Sequence, residues 1–184
     1  MASTYTPLGI EKMATGENAG TWGTKTNANL DLIEQVLGGY KAVSIAGGAQ
    51  TTALTVADGA LTGTAQARMI EFTGSITGNQ IVTIPLDVEN FYIIKNSTSG
   101  AYTVQLKAAS GSGATVTWAT GDKDWKLVYF DGVATNTGVY EVALGEANEV
   151  TLNGTETLTN KTLTSPKIGT NILDTNGNEL INLT

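Results

Sequence analysis

The side chains that could do chemistry in this chain are few, and nearly all are carboxylates. Asp122, Asp124 and Asp131 fall close together, as do Glu146 and Glu149. Paired carboxylates perform general acid and base work when one cleft holds two of them with their pKa values pushed apart. Glycoside hydrolysis asks for such a pair roughly 5 to 10 Å apart across a sugar site. Both sets here sit in polar, turn-like stretches, where a solvated loop is the plainer expectation. The chain has no His and no Cys, which excludes Cys/His zinc sites, disulfides, haem attachment and every triad with an imidazole base. The expectation is a protein that is not an enzyme, with no catalytic residue, metal ligand or cofactor.

Other stretches imitate ligand sites and then depart from them. Asp174-Thr175-Asn176-Gly177-Asn178 offers side-chain oxygens at alternating positions, as the first half of a calcium loop does. Its Gly falls at the fourth position instead of the sixth, and the sequence stops one residue before the twelfth position, where the bidentate Glu would stand. Gly111-Ser112-Gly113 lacks the strand-to-helix context and the continuation of a phosphate cradle. Trp118, Trp125, Tyr102 and Tyr140 are possible platforms for sugar rings, although aromatics in a Thr-rich β domain usually belong to its core.

Charge excludes further classes. Seventeen acidic residues against ten basic ones give a formal net charge of −7, and Arg68 is the single arginine. Nucleic-acid binding therefore has no electrostatic footprint. No apolar run reaches the roughly 18 to 20 residues that span a bilayer, and no basic segment followed by an apolar core opens the chain. A soluble protein without membrane insertion is expected. At 41% hydrophobic residues the chain is too apolar for disorder.

The elements that would position any site fall into three regions. Residues 1–40 carry one helix signal, in the stretch Thr24 to Gly39, where Leu30, Ile33 and Leu37 recur at i, i+3 and i+7. A Thr caps it and Gly38-Gly39 stops it. A helix of about twelve residues is marginal in water, so its stripe must dock on something.

Residues 41–144 change to short β segments between turns. Strands are expected at 54–56, 69–73, 81–84, 91–96, 102–108, 114–118, 125–130 and 138–143. Thr, Gly and Asn make up more than a third of the chain, a composition of strands and turns. The pattern predicts an antiparallel β-sandwich or barrel-like domain, with Phe91 to Ala108 as its clearest hairpin. Phe91-Tyr92-Ile93-Ile94 and Leu127-Val128-Tyr129-Phe130 are apolar on both parities. Both faces of those strands then need cover, one from the sandwich core and the other from a helix, a loop or another subunit, and a chain this poor in helices has few internal candidates. Tyr92, Ile94, Val128 and Phe130 are expected on that seam.

Residues 145–184 contain no aromatic residue, and Leu152, Leu158, Leu163 and Ile168 are thinly spaced among Thr, Asn and Lys. One chain could bury little with this pattern, which suits an extended β shaft segment winding around identical copies. Asn176-Gly177 between apolar flanks predicts a hairpin that sets Ile172 beside Ile181 and Leu173 beside Leu180.

Three stretches resemble the N-terminal region of bacteriophage tail fibres, especially those of short-tailed, cyanophage-like viruses. Thr21-Trp22-Gly23-Thr24-Lys25-Thr26-Asn27-Ala28-Asn29 with Ile33-Glu34 is similar to their W-G-x-x-x-N-x-N-x-x-x-I-E opening. Tyr102-Thr103-Val104-Gln105-Leu106-Lys107 followed by Trp125-Lys126-Leu127-Val128-Tyr129-Phe130-Asp131-Gly132 is similar to their Y-T-V-x-x-K … W-x-L-V-Y-x-D-G domain. Leu158-Thr159-Asn160-Lys161-Thr162-Leu163-Thr164-Ser165-Pro166-Lys167-Ile168 resembles the stretch that opens a fibre shaft.

The resemblance implies a homotrimer in the virion tail, assembled in the host cytoplasm, and carries over no catalytic residue. Its N-terminal part would dock on a tail adaptor, nozzle or baseplate protein through Trp22, Leu30, Ile33 and Leu37. Its C-terminal part would continue towards a host-binding tip, so that the host receptor is met only indirectly, and the chain reads as the base of a longer fibre. The alternatives are a host-glycan-binding module or another structural component of the tail or baseplate.

Overall fold

A computed structural model describes residues 2–143, 172–173 and 179–181. The chain divides into two units, Met1–Leu144 and Gly145–Thr184. Residues 1–40 and the β region that follows them thus belong to one unit.

That unit is mainly β with one helix. A small antiparallel pair, β1 (Thr4–Tyr5) and β2 (Glu11–Lys12), precedes α1 (Trp22–Gly38). Then come β3 (Tyr40–Ser44), β4 (Gln50–Ala53), β5 (Met69–Thr73), β6 (Gln80–Ile84), β7 (Glu89–Asn96), β8 (Val104–Ala108), β9 (Val116–Trp118), β10 (Trp125–Asp131) and β11 (Val139–Glu141). They form a five-stranded sheet ordered β11-β10-β7-β5-β3 and a four-stranded sheet ordered β4-β6-β8-β9.

Successive strands from β3 to β8 alternate between the two sheets, so the chain winds as three coils. Neighbours within a sheet are one coil apart and run in the same direction: β3, β5 and β7 are parallel, as are β4, β6 and β8. The reversal comes afterwards, where β9 pairs antiparallel with β8, and β10 pairs antiparallel with β7 and β11. The expected all-antiparallel pairing is therefore corrected to a mixed one. Short strands between turns look alike in both arrangements, because the direction of a neighbour depends on which sheet the next strand joins.

The expected hairpin from Phe91 to Ala108 is corrected for the same reason. β7 and β8 lie in different sheets, and the loop between them carries the chain across. Its corner stacks on the corner of the coil before it: the Ile76 N–H donates to Ser99 O at 2.9 Å, and the Ser99 N–H donates to Gly74 O at 3.0 Å. Gly100 has φ +104°, and a Cβ there would run into the carbonyl oxygen of Ile76, so this corner closes only without a side chain.

The core lies between the sheets. Ile70, Phe72, Tyr92, Ile94, Val128 and Phe130 face Val82, Ile84, Val104, Leu106, Val116 and Trp118 across it, all buried. Phe72 meets Trp118 edge to face at 5.8 Å between ring centres, and Tyr92 tilts against Phe130 at 4.9 Å. Aromatic burial of this kind dominates the stabilisation of a small core.

In the second unit β12 (Ile172–Leu173) pairs antiparallel with β13 (Glu179–Ile181). Ile172 stands opposite Ile181 as expected, but a bulge places Leu173 opposite Glu179 instead of Leu180. Leu152, Leu158, Leu163 and Ile168 lie outside the described residues, and so does the expected shaft.

Candidate interaction surfaces

The helix is pinned to the N-terminal pair by residues of the W-G-x-x-x-N-x-N stretch. Asn29 donates from Nδ2 to the Glu11 carbonyl at 2.8 Å and accepts the Glu11 N–H on Oδ1 at 2.9 Å, as a neighbouring strand would. One turn earlier the Lys25 ammonium lies 3.0 Å from the buried Glu11 carboxylate, and Asn18 Nδ2 donates to that carboxylate at 3.3 Å. The Lys25 ammonium is the main cause that holds the Glu11 carboxyl below the usual carboxylate range; the Lys25 pKa is raised in return. Lys25, Asn29, Leu32 and Val36 recur at helical spacing and form the inward face, with Leu32 and Val36 buried.

Trp22, Leu30, Ile33 and Leu37 lie on another face of α1 and point to solvent. Trp22 is 64% exposed and Leu37 66%. At 100° per residue the four fall within about a quarter of the helix circumference. The stripe expected to dock is thus left open by the described residues. The helix is longer than expected at its start: it begins at Trp22, and Thr21 at its N-cap makes no capping bond with its side chain.

The outer face of the five-stranded sheet is the second open apolar surface. Across the ladder Tyr140 stands beside Tyr129 and Tyr129 beside Phe91, while Leu127, Ile93, Met69 and Tyr40 form the adjoining row. Phe91, Trp125, Tyr40 and Tyr140 are each about half exposed. Polar partners hold these rings in place: the Arg68 guanidinium lies 3.8 Å from the centre of Phe91, and the Lys95 ammonium 5.5 Å from that of Trp125. The Tyr129 hydroxyl donates to Glu89 at 3.1 Å, which raises its pKa, and the Tyr40 hydroxyl donates to Glu71.

Tyr92, Ile94, Val128 and Phe130, expected on a subunit seam, are fully buried in the chain's own core. The correction is one of parity. Even-numbered positions of β7 and β10 point inward, leaving Phe91, Ile93, Leu127 and Tyr129 outside. A signal for this was present in β7, where Glu89 and Lys95 share the parity of Phe91 and Ile93. Charges at both ends of one parity mark the solvent side.

The carboxylates serve turns. Asp131 Oδ1 accepts the N–H groups of Val133 at 3.1 Å and Gly138 at 2.8 Å, which hold its carboxyl below the usual range. Asp122 Oδ1 accepts the Asp124 N–H at 3.1 Å, and its other oxygen lies 3.4 Å from Lys126 Nζ. Asn136 Oδ1 accepts the Ser112 N–H at 2.6 Å, so the Gly111-Ser112-Gly113 loop is tied to its own chain. Among the described residues no cluster of Asp and Glu is arranged to hold a metal ion. No helix there is long and apolar enough to cross a membrane. Of the four aromatic platforms, Trp118 is buried, with its indole N–H donating to Asp124 O at 3.0 Å; Tyr102, Trp125 and Tyr140 are exposed. Glu146, Glu149 and the 174–178 turn lie outside the described residues.

No protein-family model, curated protein or solved structure matches this chain.

Proposed function

We propose that this chain is the base of a trimeric bacteriophage tail fibre, a non-catalytic part that anchors the fibre to the tail and starts its shaft. The observation that carries the reading is the pair of open apolar surfaces on one unit, the stripe on α1 and the outer face of the five-stranded sheet. Exposed apolar residues gathered on one face mark an interaction surface more often than residues scattered singly. On this reading the α1 stripe meets a protein of the tail, and the sheet face packs on its copies around a threefold axis. The sequence resemblance supports the same assignment from all three regions of the chain.

Sedimentation of the full chain tests it. A trimer that Tyr129→Glu or Leu127→Glu converts to folded monomer is the expected result, and a stable wild-type monomer would remove the proposal. A second reading, a host-glycan module, is favoured by the exposed Trp125 beside Lys95. It predicts saturable sugar binding that Trp125→Ala abolishes while the trimer persists.

A further inference from the structure

The two open surfaces differ in charge, and the difference says which kind of partner each one takes. On the sheet face the charges are answered within the chain: Arg68 by Phe91 and Asn90, Lys95 by Trp125, Glu89 by Tyr129, Glu71 by Tyr40. The face carries both signs, two cations and two carboxylates, so a copy can set the cations of one chain against the carboxylates of the other.

The helix is different. Its one cation, Lys25, is taken by Glu11, while Asp31 and Glu34 lie along the flank next to Leu30 and Leu37 and have no ion-pair partner among the described residues. No basic residue stands in the last turn to offset the partial negative charge of the C-terminal carbonyls. An open groove of about 460 Å³ runs from Asp31 and Glu34 past Gly38 to Tyr40 and Leu61. It gives a long cationic side chain an apolar wall for its stem and two carboxylates for its head. A self-complementary contact with a second copy would set the same two carboxylates against this flank.

We propose that the α1 stripe docks a cationic amphipathic surface of a different protein, whose apolar residues cover Trp22, Leu30, Ile33 and Leu37 and whose Lys or Arg side chains reach Asp31 and Glu34. The inference rests on the reading that this chain docks through α1, and it names the chemistry of the partner.

Three synthetic helical peptides with the same leucine pattern and with Lys, Gln or Glu at the remaining positions serve as probes of the full chain. Binding is followed by the fluorescence anisotropy of a dye attached to each peptide. The Lys peptide should bind at least tenfold tighter than the Gln peptide and the Glu peptide should not bind. Raising salt from 50 to 300 mM should weaken the Lys peptide several-fold. Leu30→Ser with Leu37→Ser should abolish binding, and Asp31→Lys with Glu34→Lys should transfer the preference to the Glu peptide. Equal affinity for the Gln and Lys peptides, or a Lys peptide indifferent to the charge reversal, would overturn the proposal. So would loss of the trimer in the Leu30→Ser/Leu37→Ser variant, because the stripe would then be a seam between copies. That last result leaves the trimeric base intact, whereas a monomeric wild-type chain removes the base reading itself.

Discussion

Asn29 bonds both backbone polar groups of Glu11, donating to its carbonyl at 2.8 Å and accepting its N–H at 2.9 Å. One side chain on the helix thus does what a strand partner would do, and it fixes the orientation from which the Trp22 stripe faces outward. Asn29→Ala leaves both groups of a buried residue without partners, at a cost of about 1 to 3 kcal/mol. Hydrogen exchange should speed up in residues 3–12 and in α1 while the β3–β11 amides keep their protection. Uniform exchange across the unit would show that the helix and the sheets open together.

The Glu11–Lys25 pair makes this attachment sensitive to acid. A carboxyl whose pKa is depressed in the folded state adds stability that is complete above its ordinary value, and that stability is lost as pH falls through the folded value. Below roughly pH 4 the N-terminal pair should detach from α1 before the sheets unfold. The backbone amide NMR shifts of residues 3–12 against pH would show a step, and Glu11→Gln should flatten it. A step that survives in Glu11→Gln would point to a different carboxylate.

Opposite parities of the same strands should respond oppositely to truncation. Phe130→Ala opens a cavity between the sheets and should cost roughly 3 to 5 kcal/mol in urea unfolding. Phe91→Ala removes a half-exposed ring under Arg68 and should cost about 1 kcal/mol or less, while weakening self-association. Similar losses for the two would mean that the inward and outward faces have been exchanged.

Alkali should act through Tyr92. Its hydroxyl donates to Ala65 O at 2.8 Å, and burial pushes its pKa up to about 12. A raised folded value means that the associated stability is whole below the ordinary pKa near 10 and disappears as pH climbs from 10 to 12. The amount is about 3 kcal/mol. Urea midpoints at pH 9 and pH 11.5 should therefore diverge in the wild type and converge in Tyr92→Phe, which loses about 1 kcal/mol at both. Equal divergence in the variant would assign the alkaline loss to another group.

Legibility in the sequence followed the range of the interactions. Strands at Met69–Thr73 and Trp125–Asp131 stood out because β-branched and aromatic runs between turn residues are local signals. The first strand of the five-stranded sheet, Tyr40–Ser44, has a single buried residue and left no such trace. The helix stripe was legible as periodicity, and its exposure follows from the competing inward set of Lys25, Asn29, Leu32 and Val36, which needs the distant Glu11 to have meaning.

From its residues alone this chain has no imidazole or thiol chemistry, a β-rich unit with one short helix, and strands that are apolar on both sides. Those properties belong to residue type and local spacing, which no tertiary contact alters. Direction and parity were decided only in three dimensions. Whether β8 reverses beside β7 or crosses to the other sheet depends on corners stacking one coil apart, at Ser99 on Gly74 and Ile76. Whether Phe130 or Tyr129 faces inward in β10, where no charges at both ends mark one parity, depends on Tyr92 and the rest of the core arriving from elsewhere. A strand that is apolar on both faces carries no local preference between them, and the packing energy that breaks the tie comes from residues far away in the chain.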